Sequence, residues 1–145
     1  MRVCVLGAGG REHALAHVLA RTAEVVVTPG NPGTALAGRI TSTPAPPEEI
    51  EADLFVIGPE APLVAGLADR LRAAGRLVLG PGADGARLEG SKAWMKEVLG
   101  EAGVPTAAHE TFTELDPALR YLAATSPPYV IKTDGLAAGK GVLVT

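Results

Sequence analysis

Gly9, Gly10 and Arg11 stand where an apolar run, Val3 to Leu6, gives way to a polar segment with helical spacing. They are the first residues of the chain whose types and spacing could do chemistry. Glycines at such a bend leave main-chain amides uncovered, and a helix that opens directly after a strand aims those amides and its positive dipole end at one point. The chemistry this suits is the binding of a phosphate or a similar anion. Arg11 bears on the same point, because a cation in a helix's first turn opposes the dipole by about 0.3 to 1 kcal/mol unless a negative group lies beside it. Either a ligand anion supplies that group or the neighbouring Glu12 does.

A second candidate is YVIKTDGLAAGKGVLVT, residues 129–145. Tyr129 to Ile131 and Val142 to Val144 are apolar runs that read as two strands, and between them Gly135, Gly139 and Gly141 are interleaved with Lys132 and Lys140. A Walker A loop needs four residues between its first glycine and the Gly-Lys pair, followed by a hydroxyl residue. Here only Leu136, Ala137 and Ala138 intervene, Gly141 follows Lys140, and the loop leads into a strand rather than a helix. The pattern predicts a flexible flap between antiparallel strands, whose amides and lysines, from Asp134 to Gly141, could close over nucleotide phosphates. A plain glycine-rich hairpin is the alternative, and it leaves two lysines beside the bend unexplained.

Further polar groups fall at strand ends. TPGNPGTA, residues 28–35, reads as a loop rather than a helix start, in which Asn31 and Thr34 either hydrogen-bond a small sugar or serve as turn and helix-cap residues. Gly58, Pro59 and Glu60 end another strand, and Glu60 is either an acceptor for sugar hydroxyls or an amine, or an ordinary helix-entry acid. Lys92 repeats the oddity of Arg11 as a cation at a helix start, with either Glu89 or a phosphate to offset it. A dinucleotide cofactor is disfavoured: Glu12 takes the third glycine position of G-x-G-x-x-G, and Thr28 to Gly33 contains no acid for a ribose. His13 and His17 are one helical turn apart, but no third ligand accompanies them.

The elements that must position these groups alternate between strand and helix. Val3 to Leu6, Val25 to Val27, Leu54 to Ile57 and Leu77 to Leu79 read as strands. A helix carries Ala14, Leu15, Val18 and Leu19, and another carries Leu63, Leu67 and Leu71 and closes at Gly75. Thr41 to Glu51 reads as a proline-rich surface crossing. Ser91 caps a helix whose stripe of Trp94, Met95, Val98 and Leu99 is expected to be core, Gly103 to Pro105 breaks it, and Pro117 to Ala124 is helical again. His109 is expected on the surface. This order predicts an α/β fold with a parallel sheet whose carboxyl ends gather the loops on one edge.

Composition narrows the functional classes. Apolar residues make up 47% and aromatic residues 3%, so packing rests on Ala, Val and Leu, as where helices cover a parallel sheet. A net charge of -3, with no basic stripe, offers little to nucleic acid and points to small molecules. Cys4 is the only cysteine, set in an apolar strand without an activating neighbour. No run approaches membrane-spanning length and the amino terminus lacks a signal-peptide pattern, which makes the cytoplasm the default expectation.

Taken in order and spacing, GAGGREHA, TPGNPGTA, GPEAPLVAG, LEGSK, VPTA and IKTDGLAAGKGV closely resemble the amino-terminal part of the phosphoribosylamine-glycine ligase (glycinamide ribonucleotide synthetase) family. The resemblance covers essentially the whole chain. It implies a preATP-grasp parallel α/β domain over residues 1–90 followed by the beginning of an ATP-grasp domain over residues 91–145. It implies ATP-dependent joining of glycine to 5-phosphoribosylamine through a glycyl phosphate, giving glycinamide ribonucleotide, ADP and phosphate in purine biosynthesis. By that likeness Gly9, Gly10, Arg11 and Glu12 would hold the ribose phosphate, and Asn31, Gly33, Thr34, Gly58, Pro59 and Glu60 would border the sugar and amine. Lys92 and Lys132 would contact ATP, and Asp134, Gly135, Leu136, Ala137, Ala138, Gly139, Lys140 and Gly141 would form the loop over its phosphates. Magnesium or manganese is expected for the family, with ligands in a part not represented here, and no residue of this chain is assigned as catalytic. The family's members are considerably longer, so the chain by itself is expected not to turn over and its final segment to be poorly packed. A monomer is expected, with no membrane partner.

Overall fold

The computed structural model describes residues 1–36, 38–137 and 139–145, and the chain divides into two compact units, Met1–Ala86 and Arg87–Thr145. In the first unit the β-branched runs form β1 (Arg2–Gly7), β2 (Glu24–Pro29), β3 (Ile40–Ser42), β4 (Leu54–Ile57) and β5 (Val78–Leu79). They make one five-stranded sheet in the order β3-β2-β1-β4-β5, with every pair parallel. Each strand alternates its side chains between the two faces. Val3, Val5, Val25, Val27, Ile40 and Val56 meet Ala16 and Ala20 on one face. Cys4, Leu6, Val26, Phe55 and Ile57 meet Leu63, Leu67 and Leu71 on the other.

The helix α1 (Gly10–Leu19) supplies Ala16 to the first face, while α3 (Glu60–Val64) and α4 (Leu67–Ala73) cover the second. The expected continuous helix is broken because Gly66 takes φ +75°, a left-handed conformation that ends α3 and redirects the chain into α4. Leu63, Leu67 and Leu71 nonetheless reach the same core. Burial pushes the Cys4 thiol up to about 11, against a smaller lowering by Arg2, so it is a packing residue rather than a nucleophile.

Two expectations are corrected in this unit. The stretch read as a surface crossing begins with an edge strand: Ile40, Thr41 and Ser42 pair in parallel with Val25, Val26 and Val27. Three residues are too few for an alternation pattern, and their strand state follows from β2 lying alongside. The loop at residues 28–35 contains a four-residue helix, α2 (Pro32–Ala35), with Asn31 as its N-cap and Pro32 in the first turn.

The helix α5 (Ala83–Gly90) leads from the first unit into the second, which contains α6 (Lys92–Glu101), α7 (Leu115–Ala124), β6 (Val130–Lys132) and β7 (Val142–Val144). The two strands are antiparallel, with Val130 opposite Val144 and Lys132 opposite Val142. Ser91 caps α6 by accepting from the Trp94 amide at 3.1 Å, and the Arg87 guanidinium lies 4.2 Å from the centre of the Trp94 ring. Trp94, Met95, Val98 and Leu99 are only half-buried, which corrects their assignment as core. Val130, Ile131, Val142, Leu143 and Val144 are exposed, and no described residue from Arg87 onward is fully buried. No helix among the described residues is long and apolar enough to cross a membrane.

Candidate functional site at the carboxyl edge of the sheet

From β1 the sheet grows one way through β2 and β3 and the other way through β4 and β5. The loops that follow β1 and β4 therefore part at the carboxyl edge and leave a crevice between them, the place where open α/β sheets take ligands. Gly9 to Glu12 and Gly58 to Glu60 are those two loops. The Gly58 amide donates to the Leu6 carbonyl at 3.2 Å, and the Gly30 amide donates to the Gly7 carbonyl at 3.2 Å, so all three strand-end loops are tied to β1.

Arg11 spans the crevice. Its Nε donates to Glu12 Oε1 at 2.9 Å, Nη1 and Nη2 both lie 3.1 Å from Glu60 Oε1, and Nη2 also donates to the Gly58 carbonyl. Both alternatives posed for Arg11 and Glu60 thus acquire a definite form: Glu12 does offset Arg11, and Glu60 opens α3 while reaching back to the same guanidinium. Glu60 is held below the ordinary carboxylate range by its own main-chain amide and then by Arg11. The Arg11 side chain remains 58% exposed and that of Glu60 36%, whereas that of Glu12 is only 6% exposed.

Glu12 lies beneath the bend. Its Oε2 accepts from the Gly9 amide at 2.9 Å. A Cβ placed on Gly7 would fall 2.5 Å from Glu12 Cγ, one on Gly9 2.7 Å from Oε2, and one on Gly58 2.5 Å from Cγ. These three glycines form the slot that the acid fills. Gly10 differs, since a Cβ there would meet open space. Gly9, the N-cap of α1, has no side chain to cap the helix's first amides.

The second loop is more inward than expected. Asn31 Oδ1 accepts from the amides of Gly33 at 2.9 Å and Thr34 at 3.1 Å, and its Nδ2 donates to the Ala8 carbonyl at 3.0 Å. Thr34 is fully buried: its hydroxyl donates to the Asn31 carbonyl at 2.7 Å, accepts from the Asn31 amide at 2.9 Å and lies 3.0 Å from Ser42 Oγ. Thr34 has no surface with which to border a sugar, and its role here is to hold the loop. His13 packs so closely on Gly33 that a Cβ there would fall 2.6 Å from His13 Cε1. No spacing in the sequence linked those two residues. Pro59 is the N-cap of α3 and sets Glu60 at its first position.

In the second unit the helix start that carries Lys92 has a carboxylate beside it from Asp134, not from Glu89. The Asp134 carboxylate accepts from the Lys92 amide at 2.5 Å, the Ala93 amide at 3.3 Å and the Ser91 hydroxyl at 2.9 Å. Lys92 Nζ in turn donates to the Gly135 carbonyl at 2.8 Å. Burial raises the Asp134 carboxyl, but the Ser91 hydroxyl and the amides of Lys92, Ala93 and Gly135 together bring it below its ordinary range. Gly135 and Gly139 adopt φ +89° and +77°, as a tight bend between β6 and β7 requires. Gly141 is needed for contact, since a Cβ there would lie 2.6 Å from Ala137 Cβ. The Thr133 amide donates to the Gly141 carbonyl and that of Lys140 to the Ala137 carbonyl, each at 2.8 Å. Leu136, Lys140 and, at the end of β6, Lys132 are exposed, and Ala138 lies outside the described residues. Among the described residues no group of three or more His, Cys, Asp and Glu is placed to hold a metal ion.

Residues 1–89 match the family model described as phosphoribosylglycinamide synthetase, N domain, and residues 90–145 match phosphoribosylglycinamide synthetase, ATP-grasp (A) domain. The phosphoribosylamine-glycine ligase of Escherichia coli O157:H7 is 50% identical over 157 residues, an alignment covering 99% of this chain and 37% of that protein. The Vibrio cholerae protein of the same name is 46% identical with the same coverage. The crystal structure of the Thermotoga maritima phosphoribosylamine-glycine ligase superposes with a TM-score of 0.81 at 37% identity, covering 99% of this chain and 36% of that one. The biotin carboxylase domain of Hydrogenobacter thermophilus 2-oxoglutarate carboxylase, at TM-score 0.74 and 19% identity, shares the fold. The chain spans just over a third of the length of the curated relatives it matches. With both family models matched end to end along a parallel α/β sheet, the chain belongs to the phosphoribosylglycinamide synthetase family, as a preATP-grasp domain followed by the start of an ATP-grasp domain.

Proposed function

We propose that the chain forms the amino-terminal part of an ADP-forming ligase that joins glycine to 5-phosphoribosylamine, giving glycinamide ribonucleotide, in the cytoplasm and as a monomer. The observation that carries this reading is Arg11, a half-exposed cation at the mouth of the β1/β4 crevice, in a chain of this family. The uncapped amides of Gly10 and Arg11, with the Arg11 guanidinium, receive the ribose phosphate. Glu60, released from Arg11 when the phosphate takes its place, accepts from the sugar hydroxyls or the amine. Asn31 and Gly33 wall the same edge.

ATP is the phosphoryl donor in this reading. Lys92, Lys132 and Lys140 supply positive charge for its phosphates, and the bend from Asp134 to Gly141 closes over them. A closing loop also suits an acyl phosphate, which must be kept from water. Glycine attacks ATP through its carboxylate to form that acyl phosphate, and the phosphoribosylamine nitrogen displaces phosphate. The donor set of the described residues does not fit the magnesium or manganese associated with this chemistry, and no step here runs through a metal. The 145 residues alone bind ligands without turnover; ADP formation by them that depends on glycine and phosphoribosylamine would contradict this.

A calorimetric titration with ribose 5-phosphate tests the phosphate site. Arg11→Ala weakens binding and Lys140→Ala does not. Equal affinity in the parent and Arg11→Ala chains would remove the phosphate from this crevice. A competing reading is a phosphosugar- or nucleotide-binding module without chemistry. It predicts the same titration, but no ADP formation when the rest of the family's length is supplied in one polypeptide.

A further inference from the structure

We infer that Glu12 is a positioning residue of this site: it touches no ligand, and it acts by holding the Gly9 amide and the Arg11 guanidinium in place from below. This rests on the reading that Arg11 receives the phosphate. A carboxylate facing a bound phosphate would repel it, and a buried carboxylate is costly unless it is paired and hydrogen-bonded. Glu12 meets the second condition and avoids the first. Its side chain is 6% exposed, with one oxygen on the Gly9 amide and the other on Arg11 Nε. Gly7, Gly9 and Gly58, from both loops of the crevice, leave room for this acid and would clash with it if they carried side chains.

The division of Arg11 between its two acids follows. Glu12 takes Nε from inside and the Gly58 carbonyl shares Nη2, which leaves the rest of the outer edge, Nη1 and Nη2, turned to the half-buried Glu60. An incoming anion competes with Glu60 for that edge and leaves the Glu12 contact intact. Glu12, with the Gly58 carbonyl, therefore sets where the guanidinium sits, and Glu60 is the partner exchanged on binding.

The test is a double-mutant cycle read with ribose 5-phosphate as the probe. Glu12→Gln keeps the shape and can still accept from the Gly9 amide, but it gives Arg11 no countercharge. The expected weakening is roughly three- to tenfold, and the Glu12→Gln, Arg11→Met double variant binds no more weakly than Arg11→Met alone, because the acid works through the arginine. A purely structural role would leave affinity unchanged in Glu12→Gln or make the two effects additive, and either result overturns the inference. Absence of binding by the parent chain overturns the phosphate site and the inference with it, whereas parent binding with an unaffected Glu12→Gln overturns the inference alone. Should Glu12→Gln not fold, nuclear magnetic resonance of the Arg11 Nε–H serves instead. Slow exchange in the parent, faster in Glu12→Asp, supports the role, and fast exchange in the parent overturns it.

Discussion

Asp134 accepts from the main-chain amide of Lys92 at 2.5 Å, and the Lys92 ammonium reaches one residue further along, to the Gly135 carbonyl at 2.8 Å. The near end of the glycine loop is thereby pinned to the first turn of α6, and Gly135 and Gly139 turn the chain with positive φ.

That pin has a pH signature. The Asp134 carboxyl lies below its ordinary value of 3.8 in the folded chain, because the Ser91 hydroxyl and the neighbouring amides outweigh the effect of burial. A lowered carboxyl stabilises the folded form above the unfolded value, and that contribution disappears as pH falls through the lower folded value. Trp94, the only tryptophan, sits on α6 and reports the change by fluorescence. The parent chain is expected to show an acid transition below pH 3.8 that Asp134→Asn lacks; coincident pH curves would show that the carboxylate does not hold the helix.

Two glycines of the first site separate packing from ligand space. Gly58→Ala drives a Cβ into the Glu12 side chain and should cost about 1 to 3 kcal/mol in urea unfolding. Gly10→Ala meets open space in a helix's first turn, so stability should hold or rise slightly. The same Gly10→Ala should weaken ribose 5-phosphate binding, since a methyl group then stands where the anion approaches the amides. Loss of stability in Gly10→Ala, or unchanged affinity, would contradict the assignment of that space to ligand.

Thr34→Val removes a fully buried hydroxyl while keeping its shape. The Asn31 amide loses its acceptor and Ser42 its neighbour, so destabilisation of about 1 to 3 kcal/mol is expected. Ser42→Ala leaves the Thr34 to Asn31 bonds in place and should cost less. Equal effects in equilibrium unfolding would mean that Ser42, not Asn31, anchors the threonine.

The unequal burial of the two units gives a final contrast. Leu71→Ala opens a hole in the first unit's core and should cost about 2 to 5 kcal/mol. Leu143, 58% exposed on β7, should tolerate alanine within about 0.5 kcal/mol. Hydrogen exchange resolved by residue checks both, and strong protection throughout β6 and β7 would run against their exposure.

Local chemistry carried much of this molecule. Runs of Val and Ile with glycine at their ends specify four strands of the parallel sheet, because a β-branched run bounded by turn residues has few other uses. Gly9 with Arg11 marked one bend, and Gly135, Gly139 and Lys140 the other, since amide exposure and left-handed turns are properties of a few adjacent residues. Ile40 to Ser42 became a strand only because β2 offers its edge. The inward turn of Glu12 depends on Gly58, and the seat of Asp134 on Ser91 and Lys92, partners far away along the chain. A side chain's charge is written in its own letter. Whether it faces a ligand or holds a loop from beneath depends on the space and partners that distant residues bring beside it, and only the folded chain decides that.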